Sequence, residues 1–254
     1  MTLTFTDQVR YGVCALALTA GMATPLVAQS KGNIRTTVRM TVKADRIGDF
    51  QAAAKEYVAV VKKANWDRSY TVWRSQTGPA EFVLSFYSEN WADQNMGQDP
   101  KLKEVAAQLT AISQRLSQCQ ESSTRVIAEV LPDLSLPRSA ELPKMIRTLR
   151  TVVKPDKVME YMALIRDEVM PAAKKSGVKW YSVARVRYGA ASSEFISVMG
   201  LDSWADLDGE SPVVKGMGGR EAYVRFVARI TPLTEHSQYD IYRFQPELSY
   251  IPGK

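Results

Sequence analysis

Two arginines, Arg39 and Arg150, occupy matching positions in the two halves of the sequence, 111 residues apart. Each lies in a segment where apolar and polar residues alternate, as Val38 and Met40 do around Arg39, and this alternation predicts a half-buried strand. The arginines therefore point to the face of the sheet opposite the apolar residues. An isolated buried charge is very costly, so these guanidinium groups need either a carboxylate, such as Glu129, or an anionic ligand.

A second pair of arginines, Arg74 and Arg185, has the same spacing of 111 residues. Aromatic residues could line a pocket together with these arginines, since ligand pockets are mostly apolar and aromatic with few polar groups. The aromatic candidates are Trp73, Phe86 and Trp91 in the first half and Trp180, Tyr188 and Trp204 in the second. The four arginines with Trp73, Trp91 and Trp204 are the candidate ligand-binding set. An internal salt-bridge network and an aromatic core are the alternative interpretation.

The other chemistry-bearing residues form no catalytic motif. His236 is the only histidine, and Cys119 is the only cysteine beyond Cys14 near the N-terminus. No paired histidines and no Cys-x-x-Cys spacing are present, so the sequence predicts no metal site. The glycine-rich stretch 214–220 lacks the Lys-Ser/Thr pair of a phosphate-binding loop. The catalytic residues are unknown, and the sequence favours a non-enzymatic role while leaving catalysis open.

The elements that must position these residues occur twice. Five segments of the first half match segments of the second half, and the offset drifts only from 111 to 114 residues. The matches run from 43–47 against 154–158 to 132–135 against 246–249, and they include the tryptophan turns at 90–93 and 203–206. Self-similarity at a nearly fixed offset indicates an internal repeat. We therefore predict two tandem copies of one unit.

Each copy shows the order β-α-β-β-α-β, in which alternating segments predict strands and helical periodicity predicts two longer helices. This order is the ferredoxin-like motif. Helices cover only one face of such a four-stranded sheet, and the other face needs a partner. The sequence predicts an α+β protein whose ferredoxin-like units, residues 31–136 and 144–254, pack sheet to sheet as one barrel, with residues 137–143 as the linker.

The N-terminal segment has a different character from the rest of the chain. Apolar and small residues run from Val13 to Val27 after Arg10, and Ala28 then precedes polar Gln29. A basic flank, a short apolar run and a small residue at its end are typical of a secretory signal peptide. The run is too short to cross a bilayer of about 30 Å comfortably. We expect residues 1–28 to be removed and the mature protein to be periplasmic or extracellular, without a stable membrane anchor.

The tryptophan turns and their surroundings resemble those of a known superfamily. The helix end at 169–177, the strand at 194–198 and the turn at 203–207, together with the turn at 89–93, resemble the dimeric α+β barrel proteins. That superfamily includes the NIPSNAP proteins and the antibiotic-biosynthesis-type monooxygenases. The resemblance covers nearly all of the mature chain, and it implies that Arg39 and Arg150 face the barrel interior.

The resemblance implies fold better than activity, because members serve as cofactor-free oxygenases, haem-degrading enzymes, peroxidase-type enzymes and simple binders. Monooxygenase-like members often carry a histidine just after the tryptophan turn, whereas this sequence has Gln94-Asn95-Met96 and Asp208-Gly209-Glu210. The expected function is therefore exported small-molecule binding or an accessory role, with an anionic or aromatic ligand. The alternatives are a cofactor-independent or haem-linked monooxygenase-like enzyme and a structural or interaction protein without a ligand.

The net charge of +6 is spread along the chain, and no basic-aromatic cluster suggests nucleic acid as a partner. No cofactor is predicted, although the resemblance leaves haem open. Oligomerisation is also left open.

Overall fold

The computed structural model describes residues 32–94, 99–139 and 141–253. The predicted signal peptide, residues 1–28, lies outside the described residues. In the part of the chain that is described, no helix has the length and apolar character needed to cross a membrane.

Eight strands of the described chain form one antiparallel sheet that closes into a barrel: β1 Ile34–Val42, β2 Thr71–Ser75, β3 Glu81–Ser88, β4 Gln120–Val130, β5 Met145–Val153, β6 Tyr181–Tyr188, β7 Glu194–Leu201 and β8 Thr234–Phe244. Their order around the barrel is β1-β3-β2-β8-β5-β7-β6-β4. The strands of each half are neighbours, in the ferredoxin-like orders β4-β1-β3-β2 and β8-β5-β7-β6. The pairs β2–β8 and β4–β6 join the two halves. This is the predicted α+β barrel.

Six α-helices of the described chain are α1 Ile47–Lys63, α2 Ala106–Gln118, α3 Val158–Leu164, α4 Met170–Lys175, α5 Pro212–Gly216 and α6 Arg220–Ile230. They pack on the outer face of the sheet and bury two apolar cores, one for each half. The first core joins Phe50 of α1 to Phe82 of β3, and the second joins Tyr161 of α3 to Phe195 of β7. Alternate residues of the same strands face the barrel interior.

A short turn after the last strand of each half carries a leucine into the core of the other half. The 3-10 turn Pro132–Leu134 follows β4, and Leu134 is buried in the second-half core. The turn Pro246–Leu248 follows β8, and Leu248 is buried in the first-half core. Each core therefore needs a residue from the other half to be complete.

Hydrogen bonds hold in place the two segments that follow β4 and β8 and cross to the other half. The backbone N–H of Val183 donates to the hydroxyl of Ser135 at 3.0 Å. The backbone N–H of Val72 donates to the hydroxyl of Ser249 at 2.8 Å. Each segment also forms a backbone hydrogen bond with the other half. The Leu136 N–H donates to the carbonyl of Tyr181 at 2.9 Å, and the Tyr250 N–H donates to the carbonyl of Tyr70 at 3.0 Å.

The strands β4 and β8 begin earlier than the sequence pattern predicts. The predicted strands covered about 124–131 and 239–245, whereas the observed strands are Gln120–Val130 and Thr234–Phe244. The added residues are polar and mostly exposed, so they show no alternation of apolar and polar side chains. Their backbones still pair with β1 and β5, because ladder hydrogen bonds do not depend on side-chain character.

Candidate functional site

The barrel interior holds a cavity of about 130 Å³, here named the barrel cavity. Its walls are mainly apolar and include Trp73, Val83, Ile146, Ile196 and Val198. Arg39 and Arg150 also line it, so the strand alternation predicted their orientation correctly. Of the three tryptophans in the candidate ligand-binding set, only Trp73 lines this cavity.

Glu81 neutralises Arg39 within the barrel cavity. The Nε and Nη2 atoms of Arg39 donate to the two carboxylate oxygens of Glu81 at 3.0 and 3.1 Å. The Tyr242 hydroxyl donates to the same carboxylate at 2.7 Å. Burial acts to lower the pKa of Arg39, but the hydrogen bond with Glu81 and the charges of Tyr242, Glu81 and Asp240 outweigh it and raise the pKa. Arg39 is therefore charged and already paired.

Arg150 has the matching partner in the second half. Its Nε donates to Glu194 at 2.7 Å, and the side chain of Glu194 is almost fully buried. Glu129, the carboxylate that the sequence suggested for these arginines, pairs instead with Arg187 on the outside of the barrel. A ligand anion at Arg39 or Arg150 would have to compete with a carboxylate of the chain itself.

The second arginine pair lies outside the barrel cavity. The Arg74 guanidinium lies 5.6 Å from the ring centroid of Phe82, and the Arg185 guanidinium lies 5.9 Å from that of Phe195. Both phenylalanines belong to the cores beneath the helices. Arg185 also donates to the carbonyl of Ser192 at 3.0 Å. Both arginine pairs have a spacing of 111 residues, but the two pairs lie on opposite faces of the sheet.

Trp91 and Trp204 are partly exposed, at 47% and 45%, and neither lines the barrel cavity. The ring of Trp91 meets that of Tyr188 edge to face, with centroids 5.5 Å apart. The structure therefore leaves both tryptophans on the surface, away from Arg39 and Arg150.

A larger cavity of about 460 Å³ lies between the sheet and the helices of the second half, and it is named the helix–sheet cleft. None of its residues belonged to the predicted site. Ligand pockets commonly measure about 300–1,000 Å³, so this cleft has the size for a small organic molecule. Its polar lining is Arg147, Thr151, Tyr161, Tyr181, Ser197, Ser211, Tyr223, Thr231, Thr234, Ser237 and Tyr239, and its apolar lining is Leu149, Ile165, Val169, Met199, Val213, Val214, Met217, Phe226, Val227 and Ile230.

Proline explains why the second half can hold this cleft. Pro171 lacks a backbone N–H and clashes with the preceding helical turn, which disturbs the hydrogen-bond ladder. The chain widens into a π-helical turn at Ile165–Val169 between α3 and α4. Ile165 and Val169 of this turn line the cleft. π-Helical turns are frequent at functional sites, and Pro171 within a helical pattern was the sequence signal for this one.

The matching helix of the first half is regular, and its core is packed. α1 runs without interruption from Ile47 to Lys63. Trp66, only 1% exposed, packs in this core, and its Nε1 donates to Asp99 at 2.8 Å. The two halves share a strand order, but they differ in the space beneath their helices.

Among the residues that the structure describes, Arg147 is the only cation that lines the helix–sheet cleft, and no acidic residue lines it. The Arg147 guanidinium lies 5.4 Å from the ring centroid of Tyr239, and its Nη2 lies 3.9 Å from the sulfur of Met199. No carboxylate of the described residues forms an ion pair with Arg147. The cleft therefore offers a positive charge and several hydroxyl groups inside an otherwise apolar space.

The buried phenols of the cleft are neutral at ordinary pH. Burial raises the pKa of Tyr161 to about 12, although a hydrogen bond with Thr151 acts in the opposite direction. Burial also raises the pKa of Tyr181 above the usual value. These hydroxyls can donate hydrogen bonds to a bound molecule, and they are poor general bases.

The raised pKa of the buried phenols predicts that the protein loses stability at high pH. In the folded protein Tyr161 keeps its proton to about pH 12, whereas in the unfolded chain it ionises near pH 10. Its contribution to stability is complete below about pH 10 and is lost as the pH rises toward 12, because the unfolded state then binds fewer protons. Thermal unfolding from pH 8 to 11.5 should show a falling Tm above pH 10, while tyrosinate absorbance appears together with unfolding. Full tyrosine ionisation in a still-folded protein would contradict this.

Comparisons place this architecture among known folds. No family model matches the sequence, and no curated protein matches it. A proposed monooxygenase from Fusobacterium nucleatum superposes with a TM-score of 0.59 at 10% identity, covering 88% of this chain and 95% of the other. An anthrone oxidase-like protein gives 0.59 at 14% identity, covering 88% and 95%. A chlorite dismutase variant from Candidatus Nitrospira defluvii gives 0.51 at 8%, covering 86% and 93%.

The chain has the dimeric α+β barrel fold. At these low identities the likeness concerns the fold alone, and the named activities differ among the similar structures. The function of this protein therefore has to be argued from its own residues.

Haem, which the superfamily resemblance left open, would find few ligands among the residues of the helix–sheet cleft. Haem iron is held by histidine, cysteine, methionine or tyrosinate. No histidine or cysteine of the described chain lines the cleft, and its buried phenols resist ionisation. Met199 and Met217 line it and are the side chains that could hold haem iron there. His236 is exposed on β8 and does not line the cleft. Among the described residues, no group of three or more His, Cys, Asp or Glu side chains could hold a metal ion.

Proposed function

We propose that this protein is an exported binding protein for a small aromatic anion, which occupies the helix–sheet cleft. The observation that carries the proposal is Arg147 in a cleft of about 460 Å³ whose lining contains no acidic residue. A partly buried guanidinium without a carboxylate partner favours an anionic group, which it can bind through two parallel hydrogen bonds. The surrounding phenols and aliphatic side chains favour an aromatic body of the ligand.

Binding is favoured over catalysis because no described residue of the cleft lining could activate its hydroxyl groups as a general base. Its lining has no His, Cys, Asp or Glu to act as a nucleophile or a general base. A cofactor-independent oxygenase is the second candidate, since Arg147 could stabilise a substrate that is already anionic. Oxygen consumption with electron-rich phenols separates the two candidates, because a binding protein consumes no oxygen.

The cleft proposal predicts selective binding of an aromatic carboxylate. Isothermal titration with 1-naphthoate should show binding, and neutral 1-naphthalenemethanol should bind at least about tenfold more weakly, since it offers no charge to the guanidinium. In Arg147→Met the two compounds should bind with similar affinity. Arg243→Met is the matched control, because Arg243 is an exposed arginine of β8 outside the cleft. Equal affinity of both compounds for the wild type, or unchanged 1-naphthoate affinity in Arg147→Met, would overturn the proposal.

We also propose that the chain is a tandem pair of ferredoxin-like units, residues 31–136 and 144–254. Three features support this organisation. The sequence matches at offsets of 111–114 residues, each half has the same strand order, and the two crossing turns are equivalent.

Export remains a proposal that rests on the sequence of the first 28 residues. An exported binding protein should begin near Gln29 once its signal peptide has been removed. N-terminal sequencing of protein from the periplasm or the culture medium should therefore read a start within a few residues of Gln29. Soluble cytoplasmic protein that retains Met1 would rule out export.

A further inference from the structure

One end of the barrel cavity contains a buried arginine without a counter-charge. Arg35 of β1 is only 6% exposed and lines the cavity. Its Nε has no hydrogen-bond partner, and no described carboxylate forms an ion pair with its side chain. This differs from Arg39 on the same strand, whose bidentate partner is Glu81. A charge that is buried in this way is costly unless another group neutralises it.

A second guanidinium increases the positive charge at this end. Arg138, in the segment that connects the halves, lines the cavity and lies over the ring of Tyr87, with its Cζ 3.8 Å from the centroid. Its Nη2 donates to the carbonyl of Gly32 at 2.7 Å, which fixes the side chain. Burial lowers the pKa of Arg138, the negative field of Tyr87 opposes this, and the charge of Arg35 lowers it further. The two arginines are therefore close enough to repel each other.

The apolar walls of the barrel cavity suit an aromatic body. Trp73, Ile146, Ile196 and Val198 line the cavity, and so does Trp180. The Nε1 atom of Trp180 is buried without a hydrogen-bond partner among the described residues. A buried polar atom that lacks a partner costs free energy, which an acceptor on a ligand would recover.

We propose that the Arg35 end of the barrel cavity is a second ligand site, which binds a small monocyclic aromatic carboxylate of the benzoate class. The carboxylate lies at Arg35 and Arg138, and the ring lies against the apolar wall. An apolar cavity of about 150 Å³ can hold benzene, so the 130 Å³ of the barrel cavity match one ring and not two. The site is distinct from the helix–sheet cleft, which lies on the other face of the sheet.

Benzoate is the probe that tests this site. Isothermal titration at constant ionic strength should show that benzoate binds the wild type and that Arg35→Met weakens binding at least about tenfold. Thermal unfolding without benzoate should give Arg35→Met a Tm equal to or above that of the wild type, because the substitution removes an uncompensated charge. Arg35→Lys keeps the charge but loses the bidentate geometry, so it should fold and bind benzoate more weakly.

Several results would overturn the proposal. Unchanged benzoate affinity in Arg35→Met does so, as does a marked drop in its unliganded Tm, since Arg35 would then have a structural partner. Phosphate or acetate binding as tightly as benzoate contradicts the aromatic carboxylate assignment. If Arg147→Met loses benzoate binding and Arg35→Met retains it, benzoate binds in the helix–sheet cleft and not in the barrel cavity. Binding of 1-naphthoate that depends on Arg147 can fail independently, so the two sites are judged separately.

Discussion

Residues 31–136, expressed without the rest of the chain, are expected to give no cooperatively folded monomer. In the full chain β2 pairs with β8 and β4 pairs with β6, so the isolated half would expose two unpaired strand edges. Its core would also lose Leu248, which is only 1% exposed and comes from the second half. The inner face of its sheet, including Trp73 and Val83, would be open to water.

The measurement is thermal unfolding followed by circular dichroism, combined with the molar mass in solution. A homodimer of residues 31–136 would agree with the prediction, because a second copy can cover the open face. A monomer that unfolds cooperatively would contradict it. Leu248→Ala in the full chain isolates the crossing turn and should cost about 2–5 kcal/mol. A solvent-exposed leucine would not be expected to have such an effect.

Removing the Glu81 carboxylate should destabilise the protein far more than removing the whole ion pair. In Glu81→Leu the partly buried Arg39 loses both bidentate hydrogen bonds, and the Tyr242 hydroxyl loses its acceptor. The expected loss is about 3 kcal/mol, at the low end for a broken buried pair because the Arg39 side chain is 23% exposed. The double variant Arg39→Met/Glu81→Leu should lie within about 1 kcal/mol of the wild type.

Chemical denaturation of the single variants Arg39→Met and Glu81→Leu and of the double variant completes a thermodynamic cycle. Arg46→Ala is the control, because the Arg46–Asp49 pair at the start of α1 is largely exposed and should contribute no more than about 0.5 kcal/mol. If Arg39 serves a ligand instead, Arg39→Met should leave the free protein as stable as the wild type. That result would support Arg39 as a ligand-binding residue, as the sequence predicts.

Local sequence patterns were sufficient for the strands, apart from the early starts of β4 and β8, and for the orientation of Arg39 and Arg150. Alternation assigns each strand residue to one of two faces, since successive side chains point in opposite directions. The offset of 111–114 residues likewise predicted equivalent elements in the two halves. The same offset was misleading for Arg74 and Arg185, because matching positions show equivalence and do not show which face is involved. The structure places those two outside the barrel cavity.

The partners of the arginines depended on the tertiary structure. Glu81 and Glu194 begin β3 and β7, and they reach Arg39 and Arg150 only through the strand register. Glu129 was an equally reasonable candidate from the sequence, but it faces outward and pairs with Arg187.

The sequence by itself determined most of the strands and helices and the orientation of Arg39 and Arg150, because both follow from periodicity along the chain. Only the tertiary structure decided which charges are compensated and where space remains. Arg35 and Arg39 lie four residues apart on β1 and point to the same face of the sheet. Arg39 has a carboxylate partner, and Arg35 has none among the described residues. The helix–sheet cleft depends in the same way on how a π-helical turn packs over the sheet. Charge pairing and cavities are set by distances between residues far apart in the chain, and these distances exist only after folding.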